Sequence, residues 1–185
     1  MNAIMKNLPL WPVRAGRHAL GGLGFGHVLV PAAIAPAPDL PDCFYCAKDE
    51  RLSSRMIEVC ELKRSIVYLL RNQFFPGRCI VAYKEHKREL YELTPAELSE
   101  YMAEVAATAQ AIGAVFHPDK INYAIFGDEV SHLHVHLAPK YRGAPGWGKP
   151  FAEEEDRSPR LLASDEYLRR IEAIRRELSR AALPK

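Results

Sequence analysis

Three of the chain's seven histidines fall in one short stretch, Ser131-His132-Leu133-His134-Val135-His136-Leu137-Ala138-Pro139, where they alternate with aliphatic residues. On a strand, a period of two puts all three imidazoles on one face and Leu133, Val135 and Leu137 on the other. Successive rings then stand about 6.6 to 7 Å apart. Burying the aliphatic side fixes the register, since a slip of one residue would turn the histidines into the core. The imidazole face is therefore a specified surface. An imidazole with one nitrogen held as a donor leaves the other as a lone-pair nucleophile near neutral pH, and a neighbouring ring can deliver a proton.

A second group of reactive side chains is Cys43-Phe44-Tyr45-Cys46. It offers two thiolates at the C-x2-C spacing of structural zinc sites, and such a site needs two further ligands. His86 and His132 are the candidates. A redox dithiol is the competing reading, but the βαβ setting expected of that motif is missing. Cys60 and Cys79 are expected in the core, since a free cysteine packs as a small hydrophobe.

The elements that must position these groups can be read from pattern. Arg51 to Glu61 reads as a helix. Ser65 to Leu70 and Arg78 to Tyr83 are apolar, β-branched runs separated by Asn72 to Gly77, whose Pro76-Gly77 pair marks a turn, so they form a hairpin. Thr94-Pro95-Ala96-Glu97 carries a Thr cap, a first-turn proline and a Glu three residues past the cap, which starts a helix running to Phe116. Its Leu98, Met102, Val105, Ala106 and Ala109 recur at spacings of three and four and should lie across a sheet. Asn122 to Phe126 and His132 to Pro139 pair around Gly127-Asp128. No helix-length crossover separates the members of either strand pair, so the sheet is expected to be antiparallel. Asp165 to Arg180 reads as one amphipathic helix with Tyr167, Leu168, Ile171, Ile174 and Leu178 on its apolar side, a docking helix or a dimer contact.

Composition bounds the rest. The 185 residues are 48% hydrophobic and 26% charged, as in ordinary soluble domains. A net charge of +2 provides no large field for holding a nucleic acid or an anionic membrane, which disfavours dedicated binding of either. Four cysteines are too few for a disulfide scaffold, and a reducing, cytoplasmic setting is expected. Residues 1–41 hold six of fourteen prolines and five of eleven glycines, so neither helical nor strand periodicity can persist there, and they read as an N-terminal arm. The apolar run after Lys6, Arg14 and Arg17 imitates a secretory signal, but its glycines, His27 and Pro31 make it a poor signal and a worse membrane span. Residues 42–151 have the composition of a folded domain, and 152–185 form a C-terminal extension with the amphipathic helix.

The triad resembles the His-φ-His-φ-His-φ-φ pattern of the histidine triad (HIT) superfamily, with φ apolar, and matches fully at His132, His134 and His136. Pro76-Gly77-Arg78-Cys79-Ile80-Val81, Lys84-Glu85-His86, the Asn122 to Gly127 strand, and the Pro139-Lys140-Tyr141 and Trp147-Gly148 segments resemble bacterial members as well. The resemblance spans Cys43 to Phe151. It implies an α+β, HIT-like fold with a meandering antiparallel sheet of about five strands and packed helices, often dimeric, so that a homodimer is compatible with it. It also implies nucleotidyl transfer or hydrolysis at the α-phosphate of a purine nucleotide or dinucleotide. In that chemistry His134 attacks phosphorus and forms a covalent nucleotidyl-histidine, and His136 donates to the bridging or leaving oxygen. Asn72 is the nearest match to the family's ribose contact. Asn122 resembles an asparagine that either reaches the phosphate or braces the turn. The amides of the Gly127 to Ser131 turn and the Ser131 hydroxyl are able to stabilise charge on the phosphate oxygens, unless Ser131 is simply a strand-end residue. In branches with the cysteine pair, positions resembling His86 and His132 complete a Cys2His2 structural zinc site with Cys43 and Cys46. One departure bears on the substrate. Asp128 and Glu129 stand where many relatives carry Gln, so either these acids face solvent or the pocket takes a cationic leaving group such as an amine. A non-catalytic nucleotide-binding or adaptor module with a structural zinc is the alternative. The leaving group stays open among dinucleoside polyphosphates, nucleoside phosphoramidates, nucleotide sugars and aminoacyl adenylates.

Overall fold

The computed structural model describes residues 43–151 and 159–181, and the N-terminal arm lies outside the described residues. Two short helices, α1 (Phe44–Ala47) and α2 (Glu50–Arg55), lead into strands β1 (Met56–Glu61), β2 (Ser65–Leu70) and β3 (Cys79–Tyr83). Helix α3 (Pro95–Phe116) carries the chain to β4 (Lys120–Ala124), then β5 (His134–Lys140), and α4 (Ser164–Arg180) follows. The five strands form one sheet in the order β1-β2-β3-β5-β4, with every neighbouring pair antiparallel. Because α3 delivers the chain to the far edge, β5 returns into the sheet between β3 and β4. That places the histidine strand inside the sheet.

The expected helix over Arg51 to Glu61 is half helix and half strand. Asp49 caps α2 by accepting from the Arg51 amide, and β1 begins at Met56. The register of β1 on β2 shifts between Glu58 and Cys60, so Val59 is bulged and the buried positions Met56 and Val59 fall three apart. A bulge thus gave a strand the spacing of a helix. The freed Val59 carbonyl accepts from Arg175 Nε on α4.

α3 starts as expected: the Thr94 hydroxyl accepts from the Glu97 amide, and the Glu97 carboxylate accepts from the Thr94 amide. Of the expected face Val105 and Ala109 are buried and Leu98 packs against the core, but Met102 and Ala106 are exposed, and Tyr101, Thr108 and Ile112 lie inside. Polar groups set that difference. Buried Glu104 accepts from the Arg64 amide at 2.8 Å and from Ser65 Oγ at 2.5 Å, and Tyr101 donates to the Val81 carbonyl at 2.8 Å.

The sheet has two covered faces. On one, Val67, Val81, Leu133, Val135 and Leu137 pack with α3 and with Tyr167, Ile171, Ile174 and Leu178 of α4 in a single core. On the other, α1 and α2 bring Phe44, Tyr45 and Leu52 onto Ile66, Tyr68, Ile80 and Ala82. β2 and β3 are buried at every position, which explains their unbroken apolar runs. Leu168, assigned to the apolar side of α4, is exposed.

Candidate active site and metal centre

β5 begins at His134, so His132 stands just before the strand and only His134 and His136 lie within it. Leu133, Val135 and Leu137 face the α3 core and the histidines face the opposite way, as the alternation requires. The rings of His134 and His136 lean together to a centroid separation of 4.8 Å, less than the strand repeat, because their Nε2 atoms meet at 3.0 Å.

The surrounding hydrogen bonds assign each tautomer. His132 Nε2 donates to the Tyr83 carbonyl at 2.8 Å, leaving an Nδ1 lone pair 3.3 Å from Cys43 Sγ and 3.6 Å from Cys46 Sγ. His134 Nδ1 donates to the His132 carbonyl at 2.5 Å, which leaves the lone pair on Nε2. An Arg78 guanidinium nitrogen donates to His136 Nδ1 at 3.1 Å, so the His136 proton is on Nε2 and points at the His134 lone pair. All three rings are held neutral. Burial lowers His132 to about 4, against the raising effect of its bond to Tyr83, and burial lowers His134 as well. His136 falls to about 3, through burial first and then the positive charge of Arg78.

His134 and His136 form one wall of a cleft of about 650 Å³. Tyr45 packs against the ring of His134 at 5.0 Å, and Phe126 lies 5.5 Å from His136. Arg78 lies 4.7 Å over the ring of Phe151, with its side chain buried, and Arg55 adds a second cation to the lining. Asp128 and Glu129 line the mouth and are solvent-exposed, so both alternatives left open for these acids share one geometry.

The cleft does not gather the other expected substrate contacts. Asn72 Oδ1 accepts from the amides of Phe74 and Arg160 at 3.1 and 2.9 Å, which commits it to the chain turn. Asn122 lines a separate cavity with Lys120, Lys140 and Trp147. Ser131 is half-buried before β5 and is not part of the cleft wall. Sequence reasoning missed Arg78, Tyr45 and Phe126. Arg78 reaches the site through the register of β3 on β5, in which Ile80 pairs with His136 and Arg78, two residues earlier, shares its face.

Cys43, Cys46, His86 and His132 come together with their ligand atoms within 4.8 Å of one another. Zn–S bonds of about 2.3 Å and Zn–N bonds of about 2.05 Å in a tetrahedron put sulfur and nitrogen about 3.5 Å apart. The S···N distances here are 3.3 Å for Cys43–His132, 3.2 Å for Cys46–His86 and 3.6 Å for Cys46–His132. The donor set fits a closed Cys2His2 zinc site. Cys43 and Cys46 span α1, His86 follows β3, and His132 precedes β5, so a metal there would tie three segments together.

A family model for the HIT domain matches residues 54–143. Over those residues, from just before β1 to just past β5, the chain is similar to HIT domains. The chain is 28% identical over 104 residues to Protein hit of Bacillus subtilis, covering 54% of this chain and 72% of that protein. Among solved structures it resembles a histidine triad protein from Marinobacter aquaeolei, with a TM-score of 0.65, 24% identity, and coverage of 72% of this chain and 96% of that one. A histidine triad protein from Bradyrhizobium japonicum gives a TM-score of 0.64 at 24% identity, covering 70% and 96%. A zinc-bound histidine triad family protein from Mycobacterium smegmatis gives 0.54 at 23% identity, covering 75% and 94%. These structural likenesses establish a shared fold, an open antiparallel five-stranded sheet with packed helices.

Proposed function

We propose that this HIT domain catalyses nucleotidyl transfer or hydrolysis at the α-phosphate of a purine nucleotide, through a covalent nucleotidyl-histidine at His134. The family includes nucleotide-binding proteins, hydrolases and transferases, and a structural neighbour from Sulfolobus tokodaii is described as a histidine triad nucleotide-binding protein. One observation carries the reading. His134 lines a cleft, its Nδ1 is committed to the carbonyl two residues earlier so that Nε2 carries the lone pair, and that lone pair holds the His136 Nε2–H at 3.0 Å until substrate enters between them.

The reaction follows from these residues. His134 Nε2 forms an N–P bond as the bond from phosphorus to the leaving group breaks, and His136, having taken up a second proton from solvent, donates its Nε2–H to the departing atom and returns to the neutral ring. An anionic substrate between His136 and Arg78 offsets the charge that depresses His136, which favours proton transfer at that moment. Water then attacks the phosphorus, releases a nucleoside monophosphate and restores the free imidazole. Arg55 and Arg78 are the cations in the cleft that can meet phosphate oxygens. Cys43, Cys46, His86 and His132 would hold zinc in a structural role, and four protein ligands leave no position for substrate. The four cysteines are thiols, which suits a cytoplasmic setting. No helix among the described residues is long and apolar enough to cross a membrane.

The test is product analysis with dinucleoside polyphosphates, nucleoside phosphoramidates, nucleotide sugars and aminoacyl adenylates, run beside His134→Ala. Wild type should release nucleoside monophosphate from at least one class. The variant should lose on the order of 10⁴- to 10⁶-fold in turnover. Residual activity within tenfold of wild type refutes the nucleophile, and tight nucleotide binding without any product favours a binding module.

A further inference from the structure

Arg78, which fixes the tautomer of His136, follows directly from the Asn72–Gly77 turn, and its aim is only as good as the geometry of that turn. The turn is braced from inside by Gln73, whose side chain is wholly buried. Gln73 Nε2 donates to the Leu70 carbonyl at 2.7 Å, and its Oε1 accepts from the Gly77 amide at 2.8 Å. The same Oε1 accepts a second hydrogen bond, from Arg170 of α4, also at 2.8 Å. Arg170 is itself held by Glu166 at 2.5 Å and lies 5.6 Å over the ring of Phe116, the ring against which the Gly77 backbone packs. Tyr167, one helical turn earlier, donates to the Arg71 carbonyl at 2.6 Å and accepts from the Leu162 amide.

Docking α4 does not require this arrangement. Ile171, Ile174 and Leu178 already bury its apolar face, and drawing a guanidinium out of solvent is costly unless its hydrogen bonds are made elsewhere. The Arg170 side chain is only 17% exposed, whereas its neighbour Arg169, paired to Asp165, is 65% exposed. Arg170 spends that desolvation on the one side chain that closes the turn ahead of Arg78.

We propose that Arg170 is a positioning residue for the cleft: through Gln73 it sets the turn that aims Arg78 at His136, which makes α4 a working part of the site. The structural half of this proposal stands alone, and its effect on turnover rests on the nucleotidyl-transfer reading above.

The experiment observes the ring nitrogens of His136 by ¹⁵N NMR in the full-length protein, comparing wild type with Arg170→Met, Arg170→Lys and Arg169→Met. In Arg170→Met the Nδ1 resonance should move from the position of a hydrogen-bonded acceptor toward that of a bare lone pair. Arg170→Lys, whose ammonium can still donate to Oε1, should recover part of the shift, and Arg169→Met should match wild type. In the double variant Gln73→Met/Arg170→Met the shift should be no larger than in Gln73→Met alone, because the two act in series. On a substrate identified by product analysis, Arg170→Met should lower kcat on the order of tenfold to a hundredfold. A His136 resonance unmoved in Arg170→Met overturns the proposal even if the melting temperature falls, since α4 then only stabilises. If Arg170→Met does not fold, the milder Arg170→Gln is judged by the same resonance. If wild type turns over no substrate, the reaction assigned to the cleft fails, and the resonance still decides the role of Arg170.

Discussion

Burying His136 as a neutral ring beside a cation has a cost that an acid titration can read. Its ordinary value of 6.5 falls to about 3 in the folded protein, first by burial and then by Arg78. Between those values the unfolded chain binds a proton that the folded one refuses, so stability is present above the unfolded value and is lost as pH falls below it. One such group costs about 1.36 kcal/mol per pH unit once the unfolded imidazole is largely charged, which integrates to about 2.5 kcal/mol between about pH 7.5 and about pH 4.5. The assay is urea unfolding at intervals across that range for wild type and His136→Gln, which keeps an amide donor and removes the titrating ring. Titrating carboxylates, the other histidines and any acid release of metal act on both proteins, so the difference between the two curves isolates His136. Wild type should lose about 2.5 kcal/mol more than His136→Gln across the range. Arg78→Met, which removes the second cause, should raise the folded value and end the loss at a higher pH. Parallel curves for wild type and His136→Gln would refute the buried neutral ring, and with it the tautomer that points the His136 proton at His134.

Other expectations concern the metal centre and the elements behind the cleft. Cys43→Ser should abolish stoichiometric zinc measured by elemental analysis and lower the melting temperature; retention of both sinks the Cys2His2 site. Gly77→Ala should destabilise by roughly 2 to 4 kcal/mol, because Gly77 has a φ of +84° and an added Cβ would lie 2.5 Å from the Phe116 ring. Urea unfolding measures that cost, and a loss below about 0.5 kcal/mol would mean that the ring yields. Ile174→Ala, at a position with no exposed surface in the core shared by α3 and α4, should cost about 2 to 5 kcal/mol by the same method. A near-neutral result would mean that α4 is not docked as described.

The triad was legible because one physical rule, period-two alternation locked by an aliphatic core face, settles both which residues share a surface and which way it points. The Cys43–Cys46 pair was legible for the same kind of reason, a fixed spacing that presents two thiols together, and the structure brings His86 and His132 to it. Arg78 was missed because its place beside His136 depends on the register between β3 and β5, which no local pattern states. β1 was misread because the bulge at Val59 disguises a strand, and the face of α3 was read only in part, at Leu98, Val105 and Ala109, because buried Glu104 and Tyr101 turn it with specific hydrogen bonds. Asn72 shows the limit of resemblance. A residue of the right type near the right turn has its carbonyl oxygen engaged by two backbone amides and takes no part in the cleft wall.

The two centres share a residue, and the sharing is divided by atom. The ring of His132 turns its Nδ1 toward the two thiols, while the backbone carbonyl of the same residue receives the Nδ1–H of His134. One residue thus faces the two thiols through its side chain and His134 through its main chain. Tyr45, set between Cys43 and Cys46, packs against both rings, 4.9 Å from His132 and 5.0 Å from His134. Since His132 lies ahead of the strand, its carbonyl is steadied by few ladder bonds. The fixed points around it are the His132 Nε2 bond to the Tyr83 carbonyl, the His132 amide bond to Val130 at 2.7 Å, the Leu133 amide bond to Lys87 at 2.6 Å and the Tyr83 amide bond to the Leu133 carbonyl at 2.9 Å. Holding the His132 ring at its Nδ1 as well as at Nε2 would restrict the one acceptor that decides which nitrogen of His134 carries the lone pair. A metal held by Cys43, Cys46, His86 and His132 would therefore bear on the proposed reaction without touching substrate, by stiffening the carbonyl that orients His134.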